Sequence, residues 1–358
     1  MNQPTTLMDE VRITFSDSYE HAHKRFLDQL PSISLPIQTC NFPLTSELTT
    51  EAAWLGPPDA ERIVILISAT HGVEGPVGTA VQLDTLTRLQ RRPVLPPNTA
   101  MLMIFALNPY GFVMHRRCDG DGIDLNRNFI DFSEPLPKNP GYVQLMEAIY
   151  CNDSIRRQQL FDAYRRTHGE AAYEIAISGG QYTDPHGPFY GGQAPGHGNR
   201  TVEQLIHHFD LEGRHLAVID VHSGLGPYGH GEVISDHMPG TTGFSVAKKW
   251  YGAAATASAD GTSTSVPKAG LLDYRWHKLM QERGCFITLE FGTYPIQNLF
   301  DVVLNDHLSW KSGDPESIKQ SAAAMREHFC PADGYWRELI LLKSRQVIEQ
   351  AMKGLTDA

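Results

Sequence analysis

Four short runs of uninterrupted apolar residues set the terms for what this chain can fold into: RIVILI at 62–67, AMLMIFAL at 100–107, HLAVIDV at 215–221 and CFITLEF at 285–291. Each has the length of a β-strand, and each is continuous rather than alternating. A strand apolar at consecutive positions sends hydrophobic side chains to both faces, so both faces must be covered. Helices cover such sheets, and the chain offers helical candidates at 77–90, 142–165 and 317–328. A further one, at 336–353, has Leu339, Leu342, Val347, Ile348 and Met352 at helical spacing. Strands alternating with helices predict an α/β fold, a three-layer α/β/α sandwich with a mixed, largely parallel central sheet.

The 358 residues read as a single catalytic domain, 1–358, with its core at about 60–295 and a helical C-terminal part at 300–358. Two segments interrupt the pattern. Residues 178–198, SGGQYTDPHGPFYGGQAPGHG, are rich in Gly, Pro and aromatics and read as an active-site loop, since Tyr182, Phe189 and Tyr190 have apolar area to pack on something. Residues 252–270, rich in Ala, Ser, Thr and Gly, read as plainly flexible.

A formal net charge of -11, with basic pairs such as Arg91 and Arg92 short and isolated, argues against binding nucleic acid or an anionic membrane surface. Residues 1–20 lack the basic start and apolar stretch of a secretion signal, and no apolar run reaches the 18 residues that a membrane span needs. The expectation is a soluble, cytoplasmic protein. Its five cysteines are far apart and never arranged as Cys-x-x-Cys, which reads as reduced, structural thiols.

Chemistry gathers where the apolar runs end. RIVILI leads into His71-Gly-Val-Glu74, which places a His and a carboxylate on a loop leaving the C-terminal end of a strand, where open α/β sheets bind ligands. HLAVIDV delivers His222 to the corresponding end of another strand. Two His and one Glu, with a fourth position open, form the ligand set of a catalytic zinc site. CFITLEF carries Glu290 between Leu289 and Phe291, an expensive setting for a carboxylate unless it is paired or used. A general base belongs in such surroundings. The stretch 108–129 concentrates Asn, Asp and Arg beyond the needs of a turn and reads as a clamp for a substrate carboxylate.

The order His71-x-x-Glu74, Arg117, Asp124-Leu-Asn126-Arg127-Asn128-Phe129, His222-Ser223 and Glu290 is similar to that of the zinc carboxypeptidases and their relatives, the succinylglutamate desuccinylase and aspartoacylase group and the murein peptide amidases. The segments FSDSYEHAHKRF and PFYGG further resemble an uncharacterised bacterial-type branch of that clan with a domain of unknown function. The resemblance implies one zinc ion held by His71, Glu74 and His222, with Glu290 as proton carrier and Arg117, rather than the adjacent Arg116, as oxyanion donor. It implies that Asn126 and Arg127 hold a free carboxylate and that Asp124 orients a ligand histidine. The implied activity is hydrolysis of an amide bond beside a free carboxylate in a small peptide or acyl amino acid, as a carboxypeptidase or peptide amidase. Alternatives are an N-acyl amino acid deacylase and a silent metal-containing peptide-binding protein, the latter disfavoured by the intact Glu290 and Arg117. Tyr182, Tyr190, Tyr228 and Tyr251 are all open candidates for the tyrosine that closes over substrate in carboxypeptidases.

Gly224-Leu-Gly226-Pro-Tyr-Gly229 fits a dinucleotide-binding string, but Pro227, Gly229 and Gly231 disfavour the helix it requires; the glycines read as shaping the pocket beside His222. No Gly-x-Ser-x-Gly elbow occurs, which disfavours serine hydrolysis. His207, His208, His230 and His237 read as surface or structural residues, and a second metal involving Asp220 or Asp124 is set aside.

Overall fold

The computed structural model describes residues 6–357; the first five residues of the N-terminal stretch and Ala358 lie outside them. Its strands are β1 (Ile37–Pro43), β2 (Thr49–Leu55), β3 (Arg62–Ile67), β4 (Thr99–Phe105), β5 (His215–Ser223), β6 (Gly231–Ile234), β7 (Ala255–Thr256) and β8 (Gly284–Phe291). They form an eight-stranded sheet in the order β1-β2-β4-β3-β5-β8-β6-β7. The four apolar runs are its contiguous centre, with β4, β3, β5 and β8 all parallel. Antiparallel pairing enters only where β2 meets β4, β1 meets β2, and β6 meets β8. The sheet is therefore mixed and largely parallel.

Burial on both faces explains the continuous hydrophobicity. In β3, Val64 and Leu66 pack into one core with the helices Gly75–Arg91 and Gly334–Thr356, while Ile63, Ile65 and Ile67 pack into another with His197–His208 and Leu272–Met280. β5 divides likewise, with Ala217, Ile219 and Val221 on the first face and Leu216 and Val218 on the second. Toward the C-terminal ends of β5 and β8, the second parity turns polar: Asp220 and His222 follow Leu216 and Val218, and Thr288 and Glu290 follow Phe286.

The helical candidate at 142–165 is two helices, Pro140–Ile149 and Ser154–His168. Asp153 makes the break, its side chain accepting hydrogen bonds from the N–H groups of Ile155 and Arg156 as an N-cap. The C-terminal part holds the helices Ile296–Ser312, Pro315–Phe329 and Gly334–Thr356. Among the described residues no helix is long and apolar enough to cross a membrane.

Candidate metal centre

β3 ends in a backbone reversal at Ala69 (φ 57), a left-handed conformation uncommon for a residue with a side chain. His71 follows, then a single 3-10 turn, Gly72–Glu74, running into the helix Gly75–Arg91. Gly72 is required here, because a Cβ would lie 2.0 Å from the backbone of Gly111. That approach lets Val73 N–H donate to Arg116 O at 2.8 Å, locking the turn to the segment that carries the arginines. Glu74 sits at the helix N-terminus, where the helix dipole favours its ionised form.

The three ligand candidates converge. Nδ1 of His71 lies 2.9 Å from Glu74 Oε1, Nδ1 of His222 lies 2.9 Å from Glu74 Oε2, and the two Nδ1 atoms are 3.1 Å apart. One donor atom from each residue falls within 4.8 Å of the others, and all three side chains are buried. The far nitrogen of each ring faces its own carboxylate. Nε2 of His222 is 2.6 Å from Asp220 Oδ2, whose other oxygen accepts a hydrogen bond from Thr70 Oγ1 at 2.8 Å. Nε2 of His71 is 3.2 Å from Asp124 Oδ1, a charge contact rather than an aligned hydrogen bond.

Carboxylates behind both Nε2 atoms favour the tautomer with the proton there, which turns the Nδ1 lone pairs toward each other and toward Glu74. Such a gathering of acceptors is repulsive unless a proton or cation joins them. Burial works to raise the Glu74 pKa, yet the neighbouring imidazoles hold it well below the usual carboxylate range. Burial likewise opposes charge on His222, but Asp220 and Glu74 raise its pKa far above that of a free imidazole. The donor set therefore fits a zinc-type cation, with two imidazole nitrogens and a carboxylate leaving a fourth direction open.

His71, Glu74, Arg117, Asn126, Arg127, His222 and Glu290 line one cavity. Arg117 Nε donates to Asp124 Oδ2 at 2.8 Å, and its Nη1 lies 3.6 Å from Glu74. Arg116 points elsewhere: it pairs with Asp306 at 2.9 Å, stacks over Trp310 and is not in the cavity wall. Asp124, behind the wall, is held well below the ordinary carboxylate range, against its burial, by Arg117, Arg127 and His71. Glu290 accepts the N–H of Leu225 at 3.0 Å, so the glycine-rich segment after β5 does form part of the pocket. Burial, aided by the Glu74 charge, pushes the Glu290 carboxyl up to about 7.

Arg127 is fully buried and gives three of its donors to carbonyls, Nη1 to Asn126 O and Nε and Nη2 to Ser178 O. Its remaining N–H groups are uncommitted among these bonds. Asn126 Oδ1 accepts Leu272 N–H at 2.8 Å, which ties the 124–128 segment to the helix Leu272–Met280.

Of residues 178–198, Ser178 and Phe189 line the cavity. Tyr182 Oη donates to Arg127 O at 2.6 Å, Asp184 takes the hydroxyls of Tyr142 and Tyr150, and Phe189 lies under both Arg117 and Arg127. Within 252–270, the segment expected to be flexible, Thr264, Ser265, Val266 and Lys268 line the cavity, and Thr264 N–H donates to Glu232 at 3.2 Å. Among the described residues, no tyrosine lines the cavity.

Sequence reasoning missed the role of Asp220 as the partner of His222. The signal available was its spacing, because residues two apart on a strand share a face. Also missed were Lys268, Asp236 and Asp273 on the cavity wall. Burial, with Arg127 nearby, brings the Lys268 ammonium down to about 8.

No curated protein sequence matches the chain significantly. Among solved structures, it is similar to carboxypeptidase A from Helicoverpa armigera, with 12% identity over 86% of this chain and 73% of that one and a TM-score of 0.49. It is also similar to a metallo-carboxypeptidase from Pseudomonas aeruginosa, with 13% identity over 92% and 68% and a TM-score of 0.44. For succinylglutamate desuccinylase from Vibrio cholerae the values are 14% identity, 90% and 72%, and 0.40. The likeness is partial, and the chemistry of the centre is argued from its own residues. A family model described as "Protein of unknown function (DUF2817)" matches residues 15–343, and the chain belongs to that family.

Proposed function

We propose that this protein is a zinc-dependent hydrolase that cleaves an amide bond beside a free carboxylate in a small peptide or acyl amino acid, as a carboxypeptidase or peptide amidase. The observation that carries the reading is the convergence of His71, Glu74 and His222, each imidazole backed by its own carboxylate, in a cavity that also holds Glu290 and two arginines. Zinc bound there would supply Lewis-acid polarisation of a carbonyl and make water nucleophilic near neutral pH.

The remaining steps belong to the chain itself. Glu290, buried on the cavity wall, takes a proton from the attacking water and returns it to the leaving nitrogen. Arg117 presents the N–H groups not used on Asp124 to the oxygen that gains charge as the carbonyl becomes tetrahedral. Asn126 Nδ2 and the uncommitted Arg127 donors hold the substrate's carboxylate, which fixes the scissile bond relative to Glu290.

A deacylase reading draws on one feature: Leu225, Ile296, Leu299, Phe300 and Phe329 form an apolar part of the wall that would accommodate an acyl chain. One panel separates the readings. Zinc-loaded protein is incubated with short peptides, their C-terminal amides and N-acyl amino acids, and products are identified by mass spectrometry. The expected result is release of an amino acid from peptides with a free carboxylate, none from their amides, and a roughly 10²–10⁴-fold loss in Glu290→Gln. Turnover of acyl amino acids alone would move the assignment to a deacylase. No turnover of any substrate, or unchanged activity in Glu290→Gln, would contradict the hydrolase.

A further inference from the structure

Lys268 stands in the cavity wall without a counter-ion. Its Nζ donates to Ser265 Oγ and to Val266 O, and among the described residues no carboxylate forms an ion pair with it. A lysine drawn out of water for structure alone is ordinarily paired with an acid. Ser265 and Lys268 both line the cavity and both are partly exposed, so a ligand in the cavity can reach either side chain.

The chain holds this pair in place. The two residues are joined through Val266 and Pro267, and the proline ring restricts the backbone between them. On one side, Ser265 N–H donates to Ser263 Oγ at 3.0 Å and Thr264 N–H to Glu232 at 3.2 Å. On the other, Ala269 N–H donates to Gly179 O at 2.9 Å, next to Ser178, whose carbonyl takes two donors of Arg127. Lys268 O also accepts the Tyr274 hydroxyl at 2.7 Å. The pair is thereby anchored at the arginine side of the cavity.

Burial, then Arg127, brings the Lys268 ammonium down to about 8, with Arg117 adding to the shift and Asp236 and Glu290 opposing it. The neutral amine is therefore reached at mildly alkaline pH. Once Nζ loses a proton, its lone pair is free to accept the Ser265 O–H in the same contact. A serine hydroxyl is a weak nucleophile until an adjacent base takes its proton, and a lysine can be that base without a histidine or a Gly-x-Ser-x-Gly elbow.

We propose that Ser265 is a second nucleophile of this cavity, with Lys268 as its general base, and that it takes an acyl group from an activated ester. Neutral Nζ accepts the Oγ proton as Oγ bonds to the carbonyl carbon. The bond from that carbon to the ester oxygen breaks, and the departing alcohol takes the proton from Nζ, which leaves the acyl group as an ester on Ser265. Water then attacks that ester, giving a proton to the same amine; the amine passes it to Oγ as the carboxylic acid leaves. These steps go beyond the zinc chemistry proposed above and use neither Glu290 nor the metal ligands. Their readout is a covalent adduct, so failure of this proposal and failure of the zinc hydrolase reading are separable.

The experiment treats the protein as purified with para-nitrophenyl acetate, followed by an acid quench, and separately with phenylmethanesulfonyl fluoride, which forms a stable adduct. Peptide mass spectrometry locates the modified residues. An adduct on Ser265 is expected with both reagents, forming faster as pH rises through about 8. In Lys268→Arg, which keeps the positive charge but supplies no base, the adduct is expected to form about 10²-fold more slowly. Ser265→Ala is expected to lose it altogether while binding zinc as the unaltered protein does. Ser265 left unmodified by both reagents would overturn the proposal, whether or not Lys268 reacts in its place. An adduct on Ser265 that forms equally fast in folded Lys268→Arg would overturn it too.

Discussion

The two halves of the central strands, on one face of one sheet, have been put to opposite uses. Near its start, β5 presents Leu216 and Val218 to a core shared with Trp276 and Phe286. Two and four residues past Val218, at the same parity, it presents Asp220 and His222 to the candidate metal centre. β8 repeats the division, with Phe286 in the core and Glu290 on the cavity. Both halves are equally buried, so burial does not distinguish them. The difference is whether the buried group is completed by other apolar atoms or by a charge brought in from outside. Parallel pairing puts the polar ends of β3, β5 and β8 side by side, which is why His71 and Glu74 after β3, His222 on β5 and Glu290 on β8 line one cavity.

The comparison can be broken from either end. The largest effect is expected in the apolar half: Leu216→Ala removes fully buried contacts and should cost about 2–5 kcal/mol of stability. Chemical denaturation measures that loss, and zinc affinity of the folded protein should be unchanged; a large fall in affinity would show that the halves are not separable. In the polar half the pattern reverses. Asp220→Asn keeps the size of the side chain and an acceptor for Thr70 but removes the carboxylate behind Nε2 of His222, and should weaken zinc binding by about 10–100-fold with little loss of stability, as read by competition with a chelator. Unchanged affinity would remove Asp220 from the account.

A smaller effect is expected with pH. Glu290, raised to about 7 by burial and by the Glu74 charge, must be ionised to accept a proton, so kcat/KM should rise with pH and fall off on the acid side. Zinc adds positive charge nearby and lowers this pKa, which places the acid limb at or below pH 7. A profile flat from pH 4 to 7, within the ordinary range of an unperturbed carboxylate and above, would remove Glu290 as the base.

What the sequence disclosed follows from the same division. The central strands were legible because two covered faces demand uninterrupted apolar residues, and the residues gathered at the cavity were legible because they interrupt or terminate those runs. β1 was not: it is an edge strand, half exposed, and gives little hydrophobic signal. β6 and β7 are four and two residues long, too short for any periodicity. The break at Asp153 was hidden because capping residues also occur in the middle of polar helices. Asp220 was read as part of an apolar run when its parity with His222 marked it as a partner. Asp273 and Lys268 carried no such mark, since only the tertiary fold brings residues 264–273 to the cavity.

The central claim is that the lone pairs gathered at Glu74 are completed by zinc. Elemental analysis of protein purified without added metal, beside a His71→Ala variant shown to be folded, tests it most directly. Close to one zinc per chain is expected in the unaltered protein, with most of it lost in the variant. Equal metal content in the two, or none in either after zinc is supplied, would contradict it.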